Sequence, residues 1–167
     1  MGLSYATGVR GGDHINGYMI SPEVVGLPQK LDPFTNEGKA VWTKAFQDLT
    51  ATMDAAGICI FTSLAPMGAP EYAAMLSAVT GMPIDEKEVM RIGERIWNVQ
   101  KLFNLKVGYT KHDDTLPRRL LTEPLKEGAP TGRVWQREPL LDEYYATRGW
   151  DTEGVPTTEK LRELGLA

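Results

Sequence analysis

The sequence predicts a mainly α domain, irregular and multi-helical, with long ordered loops. Apolar residues recur at helical spacing in several separate runs, and no run alternates convincingly as a strand does. Glycine and proline concentrate between those runs, where they would break a helix. The chain has 167 residues, enough for one domain with a real core.

Residues 1–35 read as a Gly/Pro-rich segment and residues 36–167 as a helical domain. Gly8, Gly11, Gly12, Gly17, Gly26, Pro22, Pro28 and Pro33 interrupt any long helix in the first part. Such a segment is ordered only by what packs on it, which suits a chain that begins inside a larger fold. The first helix is predicted from Glu37 to Ala56, with Thr35 or Asn36 as its cap. Val41, Trp42, Phe46, Leu49 and Met53 form its apolar stripe, and Gly57 supplies the stop. A shorter helix starts at Pro70, carries Tyr72, Met75, Leu76 and Val79, and ends at Gly81.

The next helix follows Asp85, which has the spacing of a capping pair with Glu88. Its stripe of Val89, Ile92, Ile96, Val99 and Phe103 is broadened by Trp97, Leu102 and Leu105, and predicts burial on more than one side. Gly108 closes it. Residues 109–137 return to loop character, with Asp113-Asp114 and Arg118-Arg119 as possible tethers between helices. A helix over Leu140 to Arg148 stops at Gly149, and a last one runs from Thr158 to Leu164 before Gly165.

Several function classes are disfavoured. The net charge is −4 with both signs interspersed, so no basic stripe offers itself to nucleic acid. No apolar run reaches the roughly 18 residues of a membrane helix. Met1-Gly2-Leu3-Ser4-Tyr5 lacks the layout of a signal peptide, and the expected location is cytoplasmic. The single cysteine, Cys59, rules out an internal disulfide. There is no convincing nucleophile–base arrangement for a hydrolase.

One stretch invites chemistry: Asp54-Ala55-Ala56-Gly57-Ile58-Cys59, at the end of the first long helix. Gly57 permits a sharp turn and close backbone approach. Asp54 stands in the last turn, where the helix dipole disfavours a carboxylate, and so calls for a specific partner. Read alone, the stretch is more simply a solvated Asp, a stop glycine and a small buried cysteine.

Further runs carry a resemblance. They are Ser4-Tyr5-Ala6-Thr7, Arg10-Gly11-Gly12 with His14, Tyr18-Met19-Ile20-Ser21-Pro22-Glu23 and Lys30-Leu31-Asp32-Pro33. Phe46-Gln47-Asp48-Leu49-Thr50, Gly93-Glu94-Arg95-Ile96-Trp97-Asn98 and Leu102-Phe103-Asn104 follow. The tail adds Asp113-Asp114-Thr115-Leu116-Pro117, Leu141-Asp142-Glu143-Tyr144-Tyr145, Arg148-Gly149-Trp150 and Val155-Pro156-Thr157. In this order, over nearly the whole chain, they resemble the C-terminal part of the aldehyde:ferredoxin oxidoreductase family.

The resemblance implies the C-terminal part of a larger enzyme fold, with residues 1–35 bordering the cofactor site. It implies tungsten held by two pterins, a [4Fe–4S] cluster and electron transfer to ferredoxin, with a small aldehyde as substrate. Cys59 matches the distant fourth cluster ligand. Asp54 matches a carboxylate that hydrogen-bonds a pterin, with Ile58 and Ile60 presenting backbone beside it. Arg10 matches a basic residue near the cofactor. His14 matches a histidine near tungsten, suited to orienting a carbonyl or moving a proton. His112 reads as an ordinary exposed residue. Family members often carry a cysteine before this histidine and a basic residue after it; here Asp13 and Asn16 stand nearby.

No clustered-cysteine motif is present, and one thiolate does not hold a four-iron cluster. The expectation is a polypeptide that is inactive and metal-free alone, completed by the N-terminal portion of the same enzyme. The alternative is a non-catalytic helical interaction domain derived from that family.

Overall fold

The computed structural model describes residues 1–64 and 67–167. It is mainly helical, as predicted, and no named strand occurs among the described residues. The helices are α1 (Gly2–Ala6), α2 (Lys39–Ala55), α3 (Ala69–Thr80), α4 (Glu86–Lys106), α5 (Arg118–Thr122), α6 (Arg137–Arg148) and α7 (Thr158–Glu163). A π-helical turn spans Ser21–Val25 and a 3-10 turn spans Ile60–Leu64.

Local signals set most boundaries. Asp85 accepts the Glu88 backbone N–H at 2.8 Å and caps α4. Gly81 and Gly149 end α3 and α6 in the left-handed conformation. The N-cap of α2 is Gly38 and not Thr35 or Asn36. The helical turns at α1, Ser21–Val25, Ile60–Leu64 and α5 went unpredicted, because five residues are too short for a periodic signal. The first 35 residues are therefore less irregular than expected.

α2 is the central strut. It packs against α4, α6 and α1, while α3 lies on α4. At the α2–α4 crossing the backbones touch. A Cβ at Gly93 would sit 1.7 Å from the Asp48 carbonyl oxygen, so only glycine fits there. The core collects Leu3, Ala40, Ala51, Trp97, Leu140, Leu141, Tyr144, Tyr145 and Trp150. Tyr144 meets Trp150 edge-on at 5.8 Å between ring centroids.

The buried face of α2 is only partly the one its apolar stripe predicts, with Met53 alone of that stripe buried. Thr43, Gln47, Asp48, Thr50 and Thr52 are buried, whereas Val41 is exposed. Trp42, Phe46 and Leu49 instead line a half-open cleft of about 510 Å³, shared with Leu27, Pro28 and Met90. The wide stripe of α4 is also only partly used: Val89 and Trp97 are buried, but Val99 and Phe103 are exposed. Periodicity identified these helices, while polar pairing chose which face turned inward.

Asp114 is a tether, as expected. It accepts the Lys101 ammonium at 2.7 Å and the Tyr145 hydroxyl, tying the 109–117 loop to α4 and α6. Arg118 and Arg119 are exposed, and among the described residues Arg119 pairs with Glu123 at 3.6 Å. Among the described residues, no helix is long and apolar enough to cross a membrane.

Candidate functional site

The end of α2 is built by hydrogen bonds that the sequence foreshadows. Gly57 takes φ +69°. Its N–H donates to the Asp54 carbonyl at 3.1 Å, and the Ile58 N–H donates to the Met53 carbonyl at 2.9 Å. This pair of bonds closes the helix and reverses the chain. Cys59 follows immediately, and its thiol-bearing residue is exposed. The buried-core reading of this cysteine therefore fails. Its carbonyl accepts from the Thr62 hydroxyl at 2.8 Å, and that hydroxyl also lies 2.8 Å from the Tyr72 hydroxyl. Ile58 and Ile60 are half-buried on either side.

Asp54 has the partner its position demanded. The Arg10 guanidinium lies 3.2 Å from its carboxylate and 2.6 Å from that of Asp13. One cation thus joins the glycine-rich segment to the C-terminus of α2. Asp13 also accepts the Ile15 backbone N–H at 2.7 Å. Partial burial opposes ionisation of Asp13, but the bonds from Ile15 and Arg10 outweigh it and hold the carboxyl below its usual range. The carboxylate next to His14 is therefore engaged with Arg10 and Ile15. His14 is exposed, with its ring 6.5 Å from that of Tyr18. Asn16, read as a missing charge near a cofactor, is buried and faces the protein. His112 is exposed, as expected.

The structure brings Arg10 and Asp54 together and links Asp54 to Ile58 and Cys59 through one turn. His14 is carried on the same loop as Arg10, but among the described residues its side chain makes no hydrogen bond or ion pair. No group of three or more His, Cys, Asp or Glu is placed to hold a metal ion among the described residues.

Residues that sequence reasoning did not single out hold this region. The Ser4 hydroxyl lies 2.9 Å from the Asn16 carbonyl and 2.7 Å from that of Gly17. The Gly17 N–H donates to Thr50 Oγ1 at 3.1 Å, and Asn104 Nδ2 donates to the Val9 carbonyl at 2.7 Å. Deeper, Arg148 is fully buried and pairs with Asp48. It also donates to Tyr144 at 2.9 Å and to Gln47 at 2.8 Å, and Gln47 donates to Thr7 at 3.0 Å. Burial disfavours the Arg148 cation, but the charge of Asp48, the Tyr144 oxygen and the hydrogen bonds to both together outweigh it. A mid-helix Thr50 beside Gln47 and Asp48 was the available signal, since such side chains bond backbone when water is absent.

The family profile described as "Aldehyde ferredoxin oxidoreductase, domains 2 & 3" matches residues 1–166. The tungsten-containing aldehyde ferredoxin oxidoreductase of Pyrococcus abyssi is 49% identical over 167 residues, covering 99% of this chain and 27% of the relative. The protein of the same description from Pyrococcus furiosus is 47% identical over 168 residues, covering 99% of this chain and 28% of the relative. The chain thus spans about a quarter of the length of these curated relatives. An aliphatic sulfonate oxidoreductase, WOR-like subunit, from Pyrococcus furiosus is 32% identical, over 98% of this chain and 24% of that protein. The fold is shared with the active site complex BamBC of benzoyl coenzyme A reductase solved with 1,5-dienoyl-CoA. That match has a TM-score of 0.62 and 24% identity, covering 86% of this chain and 21% of that one. The chain belongs to the aldehyde ferredoxin oxidoreductase family, in the region described as its domains 2 and 3.

Proposed function

We propose that this chain forms one wall of the cofactor site in a tungsten–pterin oxidoreductase that oxidises aldehydes to carboxylic acids and delivers electrons to ferredoxin. The observation that carries the reading is the exposed thiol of Cys59, one turn from the Arg10–Asp54 ion pair. A thiol, an acid and a guanidinium, the groups that the family resemblance assigns to the cofactor site, thus lie on or beside one turn. In a complete enzyme joined to the N-terminal portion, Cys59 supplies the fourth thiolate of a [4Fe–4S] cluster. Asp54 accepts N–H groups of a pterin, while Arg10 faces its anionic groups. Ile58 and Ile60 present backbone to the same ligand.

When bound, the tungsten–pterin group accepts the two electrons released as an aldehyde and water become a carboxylic acid and two protons. His14 orients the substrate carbonyl through a ring N–H, or takes one of those protons at a ring nitrogen. Its exposure leaves the imidazole free for that contact. The polypeptide alone is inactive, because a single thiolate and no clustered ligands hold neither metal group.

Metal analysis of the purified chain tests the last point: stoichiometric tungsten, or a broad iron–sulfur absorption without a partner, sinks it. In the assembled enzyme, Cys59→Ser is expected to lower iron content. His14→Asn is expected to lower kcat by about 10²- to 10⁴-fold with tungsten content unchanged. Full activity in the His14 variant would remove that residue from the reaction.

A further inference from the structure

The loop that carries Arg10 and His14 is fastened at its two bases by side chains from three different helices. At one base, Asn104 in the last turns of α4 donates to the Val9 carbonyl at 2.7 Å. At the other, Thr50 of α2 accepts the Gly17 N–H at 3.1 Å. The hydroxyl of Ser4 in α1 bonds the carbonyls of Asn16 and Gly17 at 2.9 and 2.7 Å. Ser4, Thr50, Asn16 and Gly17 are buried, whereas Arg10, Gly11, Gly12 and His14 between the two bases are exposed. The loop is therefore clamped below and open above.

We propose that Ser4, Thr50 and Asn104 are positioning residues that set where the His14 imidazole meets its substrate. The inference rests on the functional reading of His14. The physical argument is one of leverage. The exposed stretch has few bonds of its own: Gly11 N–H to the Gly8 carbonyl at 3.3 Å, Asp13 N–H to the Gly11 carbonyl at 2.7 Å, Ile15 N–H to Asp13, and the exposed Arg10–Asp13 pair at 2.6 Å. Arg10 ties it laterally to Asp54 by an exposed ion pair, which is weak in water. The hydrogen bonds at the bases, buried at Asn16 and Gly17 and part-buried at Val9, are stronger constraints, because an unmade bond there leaves a backbone group shielded from water. Thr50 and Asn104 come from α2 and α4, whose backbones touch at Gly93, so one clamp at each base shares a rigid support, and Ser4 adds a third from α1. A misplacement of about 1 Å at a reacting group costs up to roughly 10²-fold in rate.

The test uses the assembled enzyme with Thr50→Val and Asn104→Leu, which keep approximate shape and remove the bonds. Expected are a kcat reduced roughly 10- to 100-fold at unchanged tungsten and iron content, and a restored rate in Thr50→Ser. The effect must act through His14, so combining either clamp variant with His14→Asn should lower kcat no further than His14→Asn alone. Amide hydrogen exchange should quicken at Gly11, Asp13 and Ile15 while the melting temperature changes little. Multiplicative losses in the double variants, metal loss in step with activity, or a Thr50→Ser variant as poor as Thr50→Val would each overturn the proposal. If His14→Asn alone leaves kcat unchanged, the reading of His14 and this inference both fall. If only the clamp variants are silent, the inference falls alone.

Discussion

Two arginine–aspartate pairs in this molecule use the same chemistry for opposite ends. Arg148 and Asp48 have side chains 0% and 2% exposed, while Arg10 and Asp54 are 47% and 40% exposed. The inner pair sits among Gln47, Tyr144 and Trp97, with the guanidinium 5.2 Å from the Trp97 ring centroid. Burial also pushes the Tyr144 hydroxyl up, so it remains a neutral donor to Gln47 at 2.6 Å. Arg148, Asp48, Gln47 and Tyr144 are all bonded within one network, while the buried Trp97 indole N–H has no partner among the described residues. The outer pair closes one side of its charges and leaves the other open to a ligand. Burial, and not residue type, separates the structural pair from the available one.

The comparison can be broken most forcefully at its inner member. Asp48→Ala leaves Arg148 as an uncompensated buried charge and should cost about 3–5 kcal/mol, measured by chemical denaturation. Gly93→Ala follows, because its methyl group overlaps the Asp48 carbonyl; a loss of about 3 kcal/mol is expected, with α2 and α4 forced apart. Asp54→Asn at the outer pair should change stability by less than about 1 kcal/mol. A larger change would mean that this pair too is structural. Cys59 should react with a thiol reagent in the folded chain at nearly the rate seen in denaturant, and slow modification would contradict its exposure.

The smallest effect is a pH dependence at Asp13. Its folded pKa lies below the ordinary carboxylate value, so its stabilisation is fully present above about pH 3.9 and is lost as pH falls through the lower folded value. Melting curves of the chain and of Asp13→Asn should converge only at that acid end. Convergence near neutrality would reverse the sign of the shift.

Much of the fold was legible because helix punctuation is local. Asp85, Gly81 and Gly149 mark ends through bonds to near neighbours, and the structure places them so. The inward face of α2 was not legible. Its apolar side chains Trp42, Phe46 and Leu49 turn to a cleft, and Gln47 and Asp48 turn inward because Arg148, a hundred residues away, meets them. Pairing over that distance leaves no periodic trace. The candidate site shows the same division. Asp54, Gly57 and Cys59 form a contiguous motif at a helix end, and the electrostatic oddity of Asp54 signalled a partner. Arg10 stood in a separate run, and only folding joins it to Asp54. The runs on which the family resemblance was read also contain Ser4, Thr7, Gln47, Asp48, Asn104 and Arg148. These residues work in the scaffold beneath the loop, where sequence reading assigned them no task.

The contact at Gly93 gives the molecule a fixed datum. Between most helices, side chains act as springs, and their repacking lets the axes drift as temperature or sequence changes. Here main chain rests directly on main chain, so the spacing is set by covalent geometry and has almost no play. Asp54 lies six residues along α2 from Asp48, about 9 Å of helical rise. Whatever docks against that end of the rod meets an acid whose height is gauged from a hard stop, even while the surrounding core breathes.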